Sequence, residues 1–271
     1  MSDADLVLTA GDARLTVDPA VGGRMTSLVI GGHELLVTEG YGPIRWGCYP
    51  MAPFAGRIRD GRFGFRGRTV QLPLNLPPHA IHGTVFERGW EVVASDTLAT
   101  DLGPDWPFPG RVQQRFALRA DGLDVELTLE ADEAMPAMLG WHPWFRRVLA
   151  GTPDRPLPPS PAVALRFSAG AMFVRGSDGL PTGELAPPAP RPWDDCFTGV
   201  DAPPRLTWPG VMTLEIRSSC DHWVVYDEPE EAVCVEPQTG PPDAANLAPR
   251  VVEPGAPLRA TMGWDWAAAG D

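Results

Sequence analysis

The sequence contains no lysine; all 22 of its basic residues are arginine. Schiff-base catalysis and the phosphate-loop lysine are therefore excluded. Cysteine is scarce, and the four present, Cys48, Cys196, Cys220 and Cys234, stand far apart. With no C-x-x-C pair, neither a zinc knuckle nor a disulfide framework is indicated. A reducing, soluble, cytoplasmic setting is the simplest expectation. No apolar run approaches membrane-spanning length, and no basic region followed by an apolar stretch suggests a signal peptide. Positive charge is in deficit. A net charge of −13 argues against nucleic acid and against an anionic membrane surface, and suits a neutral small-molecule ligand. Also missing are amphipathic helices of more than three turns, short-period repeats, a nucleophile elbow, a phosphate-cradling glycine loop and a dinucleotide fingerprint.

Proline and glycine are abundant, at 32 and 29 of 271 residues, which favours short strands and many turns. Alternating or short apolar segments predict strands over Asp5–Thr9, Ala13–Val17, Met25–Ile30 and His33–Thr38, with Gly31-Gly32 as a hairpin turn. Further strands are predicted at Gly89–Ser95, Arg111–Leu118, Leu123–Leu129, Met138–Trp144, Ala162–Ser168, Ala171–Val174, Val211–Ile216, Trp223–Tyr226, Val233–Glu236 and Pro257–Trp266. Gly151–Pro161 and Pro181–Pro192 read as proline-rich surface excursions, and Ala267–Asp271 as a disordered tail. This spacing predicts an all-β sandwich or barrel, and the short polar segments place residues 1–271 in one domain.

Five segments could carry chemistry. In Gly140-Trp141-His142-Pro143-Trp144-Phe145-Arg146, Pro143 biases His142 to an extended conformation between two indole rings. Flat apolar rings suit the C–H face of a sugar; a core strand with a satisfied histidine is the plainer reading. In Tyr49-Pro50-Met51-Ala52-Pro53-Phe54-Ala55-Gly56-Arg57-Ile58, Arg57 could donate directed hydrogen bonds to hydroxyls, or be a solvated loop cation. Pro77-Pro78-His79-Ala80-Ile81-His82-Gly83 offers His82 as a donor beside a flexible glycine. Trp193-Asp194-Asp195-Cys196-Phe197 pairs acids with aromatics. In Val233-Cys234-Val235-Glu236-Pro237-Gln238-Thr239-Gly240, Glu236 stands at a strand end, where desolvation raises a carboxylate towards neutrality and makes it a candidate base. His79, His82, His142 and Glu236 could together hold a metal. The three-residue spacing of His79 and His82 is wrong for one strand face, so no metal is expected.

In this order the segments Tyr49-Pro50-Met51…Gly56-Arg57-Ile58, Ile81-His82-Gly83, Gly140–Phe145, Asp194–Phe197 and Glu236-Pro237-Gln238-Thr239…Pro242-Asp243-Ala244 resemble the aldose 1-epimerases, or galactose mutarotase-like proteins, over nearly the whole chain. The resemblance implies a large antiparallel β-sandwich, the supersandwich, and no cofactor. It implies His142 as catalytic acid, Glu236 as catalytic base, and Arg57, His82 and Asp194 as sugar-binding residues, with Asp195 as the fallback for Asp194. Trp141 and Trp144 could pack on the sugar, and Trp193 could line the cleft. Gly56 stands where the family usually has asparagine, and Trp144-Phe145-Arg146 where it has Tyr-Phe-Asn. The expected activity is interconversion of the anomers of a free aldose by a monomer or homodimer. Three alternatives remain: a hexose 6-phosphate held by Arg57, Arg59, Arg62, Arg66 and Arg68; a non-catalytic carbohydrate-binding protein; and a metal-dependent β-barrel enzyme.

Overall fold

Side chains alternate along an extended strand, so every second residue must find apolar company. The long hairpin Gly110–Arg119 and Gly122–Ala131 shows this directly. Val112, Gln114 and Phe116 are buried while Gln113, Arg115 and Ala117 face outward, and ten residue pairs run in unbroken register from Gly110↔Ala131 to Arg119↔Gly122. The computed structural model, which describes residues 5–269, stacks two antiparallel sheets built this way. One has the order Leu6–Ala10, Ala13–Asp18, Arg24–Ile30, Cys48–Met51, Gly140–Pro143, Ala232–Gln238, His222–Tyr226, Asp194–Val200, Ala169–Arg175, Pro181–Ala186. The other runs Glu91–Ala94, Thr97–Asp101, Gly110–Arg119, Gly122–Ala131, Leu258–Ala268, Met212–Ser218, Arg205–Trp208, Ala164–Arg166.

The core lies between the sheets. Leu15 and Met25 of the first sheet belong to one buried cluster with Phe116, Leu127 and Trp264 of the second. The ring of Phe145 meets that of Trp264 at 4.9 Å. Trp141 faces the same interior: it is fully buried, and its indole N–H donates to Gln114 Oε1 at 3.1 Å. Among the described residues no helix is long and apolar enough to cross a membrane.

Four sequence expectations are corrected. The strand predicted over His33–Thr38 stops at Glu34, whose buried carboxylate accepts from the Leu28 and Leu36 amides and so displaces a ladder. The proline-rich excursion Pro181–Pro192 begins as the edge strand Pro181–Ala186; proline is tolerated as the first residue of an edge. The expected tail is ordered through Ala268, because Ala267 and Ala268 pair with Thr213 and Met212; Gly270 and Asp271 lie outside the described residues. Glu236 is not at a strand end: its strand continues to Gln238.

Candidate active site

Because Trp141 points into the sandwich, its neighbour His142 must point to the opposite face of the same sheet. There His142 meets Glu236, with Nε2 and Oε1 3.3 Å apart and both side chains buried. Strand pairing explains the rest of that face. Glu236 lies opposite Val224, and Val224 opposite Cys196; one row over, Cys234 lies opposite Tyr226, and Tyr226 opposite Asp194. Asp194 and Glu236 therefore share a face although 42 positions, 236 less 194, separate them. Gln238, two residues beyond Glu236, donates from Nε2 to Glu236 Oε2 at 3.2 Å.

The opposite wall comes from loops. Arg57 and Ile81 are paired in a two-residue ladder, and the His82 amide donates to the Gly56 carbonyl at 2.8 Å. His82 holds φ at 60°, a left-handed conformation costly for a histidine, which turns its ring edge onto His142 at 5.1 Å. Gly83 follows at φ 84°; a Cβ there would stand 2.0 Å from the Ala52 carbonyl oxygen, so only glycine fits.

His142, Glu236, Gln238, Asp194, Arg57 and His82 line one cavity of about 190 Å³, together with Ile44, Arg45, Arg175 and Tyr226. A larger groove lies on the outer face of the second sheet, among Arg115, Asp124, Arg217 and Thr261, and is more open. It holds no buried acid–base pair; its Arg217 is tied to Asp124 and Asp265, and its Arg115 to Asp96. The buried His142–Glu236 pair is in the smaller cavity.

Burial governs the titration of its groups. It holds the His142 imidazolium down to about 3, helped by the positive charges of Arg24 and Arg57. It pushes the Glu236 carboxyl well above 4.5, and the charge of Asp194 adds to this. His82 is held well below 6.5 by burial and by His142 and Arg57. Burial thus favours the uncharged form of both partners, a carboxylic acid beside an imidazole.

Most of the residues expected from sequence meet here: His142, Glu236, Arg57, His82, Asp194 and Trp144 all line the cavity. Trp144 lies flat against the imidazole, with centroids 5.2 Å apart and planes 3° from parallel, so it clamps His142. Trp141 is corrected: strand alternation sends it into the core, away from any sugar. Trp193 is corrected too, since it packs on Phe197 and Phe167 outside the cavity. Asp195 reaches the cavity, but its carboxylate is taken by Arg175 at 2.9 Å, whereas Asp194, which also lines the cavity, has no ion-pair partner among the described residues. His79 does not join: its Nδ1 accepts from the Asp60 amide at 3.1 Å. Of the five arginines Arg57, Arg59, Arg62, Arg66 and Arg68, only Arg57 lines the cavity; Arg59 is paired with Asp178 and Asp243, and Arg66 with Glu253. Arg45, Arg175 and Tyr226 were not picked out in the sequence, for Arg175 and Tyr226 join the cavity through long-range strand pairing and Arg45 through a loop.

The chain is similar to known proteins over most of its length. It is 26% identical to the uncharacterized protein YphB of Escherichia coli K12 over 228 residues, which cover 72% of this chain and 74% of that one. A galactose mutarotase-like protein from Clostridium acetobutylicum superposes with a TM-score of 0.82 at 17% identity, over 97% of this chain and 94% of the other. Galactose 1-epimerase from Lactobacillus acidophilus superposes at 0.77 and 16% identity, over 96% and 93%. These structures share the fold. Residues 5–264 match the sequence model of aldose 1-epimerase, and the chain belongs to that family.

Proposed function

We propose that this protein is an aldose 1-epimerase that interconverts the α and β anomers of a free aldose. The observation that carries this reading is the buried His142–Glu236 contact at 3.3 Å in a small cavity. Mutarotation needs an acid and a base on two oxygens attached to one carbon, so the two groups must be neighbours. Proton transfer across the contact converts the neutral pair to carboxylate and imidazolium. Glu236 then takes the proton of the anomeric hydroxyl, the C1–O1 double bond forms, the bond from C1 to the ring oxygen breaks, and that oxygen takes the proton of His142. The pair begins and ends with one proton. Rotation about C1–C2 presents the other carbonyl face, and reclosure reverses the roles.

Around the reacting end, Arg57 supplies N–H donors and Asp194 a free carboxylate for neighbouring hydroxyls. Of the five arginines that the phosphorylated alternative invokes, only Arg57 lines the cavity; Arg45 and Arg175 line it too, with Arg175 paired to Asp195. A purely binding protein would have no use for a buried acid–base pair. The test is anomer exchange by proton NMR with fresh α-glucose, α-galactose and glucose 6-phosphate at low buffer concentration. Faster equilibration of a free sugar is expected; no acceleration of any sugar together with tight sugar binding would make it a binding module.

The pH profile follows from the pair. Turnover needs one proton shared by His142 and Glu236. A second proton is added only as pH falls through about 3, and the single proton is lost as pH rises through the raised carboxyl value. kcat/KM is therefore expected to stay flat on the acid side down to the limit of folding. An acid limb centred near the ordinary imidazole value of 6.5 would refute the buried pair as the proton source.

A further inference from the structure

Cys234 takes no part in the proton transfer, yet its thiol belongs to the same cluster. It precedes Glu236 by two residues on one strand, so the two side chains share a face. A ring nitrogen of His142, Cys234 Sγ and a Glu236 carboxylate oxygen all lie within 4.8 Å of one another, and all three residues are buried. Among the described residues, no second group of three such side chains comes as close. The fourth direction is open, because His142 and Glu236 both face the cavity.

One nitrogen, one sulfur and one oxygen with a free fourth position form the donor set of an open tetrahedral zinc site. Such a site needs Zn–S of about 2.3 Å and Zn–N and Zn–O of about 2.0–2.2 Å. Donors at those lengths stand about 3.2–3.8 Å apart at tetrahedral angles. The His142–Glu236 contact already meets that spacing, and the Cys234 sulfur, within 4.8 Å of both partners, has about 1 Å at most to close. We propose that the acid–base pair and Cys234 form a binding site for a thiophilic divalent cation such as Zn²⁺ or Cd²⁺, and that the bound cation inhibits turnover. The ion takes the Nε2 lone pair and the carboxylate oxygen, and displaces two protons, one from the thiol and one shared by the pair. With both groups ligated, neither a base nor an acid is left for the sugar. A hard cation such as Mg²⁺ demands six oxygens and finds one carboxylate here, so it is rejected. The inhibition rests on reading His142 and Glu236 as acid and base; the binding does not.

The test titrates Cd²⁺ into the full-length protein and follows the ultraviolet charge-transfer band of a cadmium thiolate, the melting temperature and anomer exchange. One equivalent is expected to saturate the band, raise the melting temperature and abolish turnover at the same midpoint, while Mg²⁺ does none of these. The four free cysteines could each give a band, so Cys234→Ala and Cys234→Ser assign it. Both should retain turnover, lose the band and move the inhibition midpoint up by at least tenfold. Should neither fold, His142→Asn should keep the band with affinity at least tenfold weaker. A band unchanged in Cys234→Ala, undiminished affinity in His142→Asn, or no band at all would overturn the site. If the wild-type protein turned over no sugar, the enzymatic reading would fail while the band still decided the metal site.

Discussion

Replacing Glu236 by glutamine is expected to slow anomer exchange by about 10³-fold or more while making the protein more stable. The rate loss follows from removing the base, for general acid–base groups each contribute about 10²–10⁴-fold. The gain in stability follows from burial. Glu236 is 2% exposed and faces His142, Gln238 and the charge of Asp194, with no cation in ion-pair contact among the described residues. Glutamine has the same shape. Its carbonyl still accepts from Gln238, and its amide can donate to His142 Nε2, so no buried polar group is orphaned. Exchanging an active-site strain for a satisfied residue is worth about 1–2 kcal/mol, which is about 2–8 °C in melting temperature at this size. The sign with pH is fixed. The folded carboxyl lies above its unfolded value of 4.5, so the wild-type protein loses stability as pH rises through the folded value. The advantage of Glu236→Gln is therefore present at neutral pH and vanishes well below 4.5, where the carboxyl is protonated in both states. Thermal unfolding at neutral and acid pH checks this, with NMR exchange for the rate. Turnover within tenfold of wild type would remove Glu236 from the reaction; a lower melting temperature at neutral pH would mean that the buried acid stabilises the fold.

Strands whose two faces differ were legible from sequence, and those whose partners lie far away were not. Gly110–Arg119 and Gly122–Ala131 announce themselves through alternation and the Asp121-Gly122 turn, and they extend each predicted strand by one or two residues per end. Cys48–Met51 contains a proline and Asp194–Val200 opens on two acids, so neither has a strand-like local pattern; pairing with Gly140–Pro143 and His222–Tyr226 makes them strands. The site follows the same division. His142 and Glu236 stand in short segments with recognisable neighbours. The placing of Trp141 off the site follows from the period of two, since a residue adjacent to His142 on a strand cannot share its face. That same rule puts Cys234 and Gln238 beside Glu236. Tyr226 needed the register, the choice of Asp194 over Asp195 needed the pairing of Asp195 with Arg175, and Arg45 needed the fold of a glycine- and proline-bearing loop. The depressed imidazole of His142 needed the cage of Tyr49, His82 and Trp144, which only the assembled sheet provides.

That cage has a charged support, and removing it should be felt in both stability and mechanism. Arg24 is 1% exposed, with its guanidinium between the rings of Trp46 and Tyr49 at 4.4 and 4.5 Å from their centroids. It donates to the carbonyls of Trp46 at 2.5 Å and Pro43 at 2.6 Å. Tyr49 in turn donates to the Ile44 carbonyl at 3.0 Å and packs on His142 at 5.1 Å. One side chain thus ties the segment bearing Ile44 and Arg45 to the sheet that carries the acid. Arg24→Leu leaves two carbonyls unpaired and unstacks two aromatic rings, a loss of about 3–5 kcal/mol by the measure of broken buried polar networks. Urea unfolding should show it as a lower midpoint, and a loss under about 1 kcal/mol would mean that the loop is held by its apolar contacts. The second effect is electrostatic. After burial, Arg24 is the largest influence that holds His142 at about 3. Removing its charge favours the imidazolium, so an acid limb that the wild-type kcat/KM profile lacks should rise into the range where the protein is folded, and the carbonyl losses alone would not bring it there. A profile still flat on the acid side in a folded Arg24→Leu protein would confine Arg24 to holding the loop.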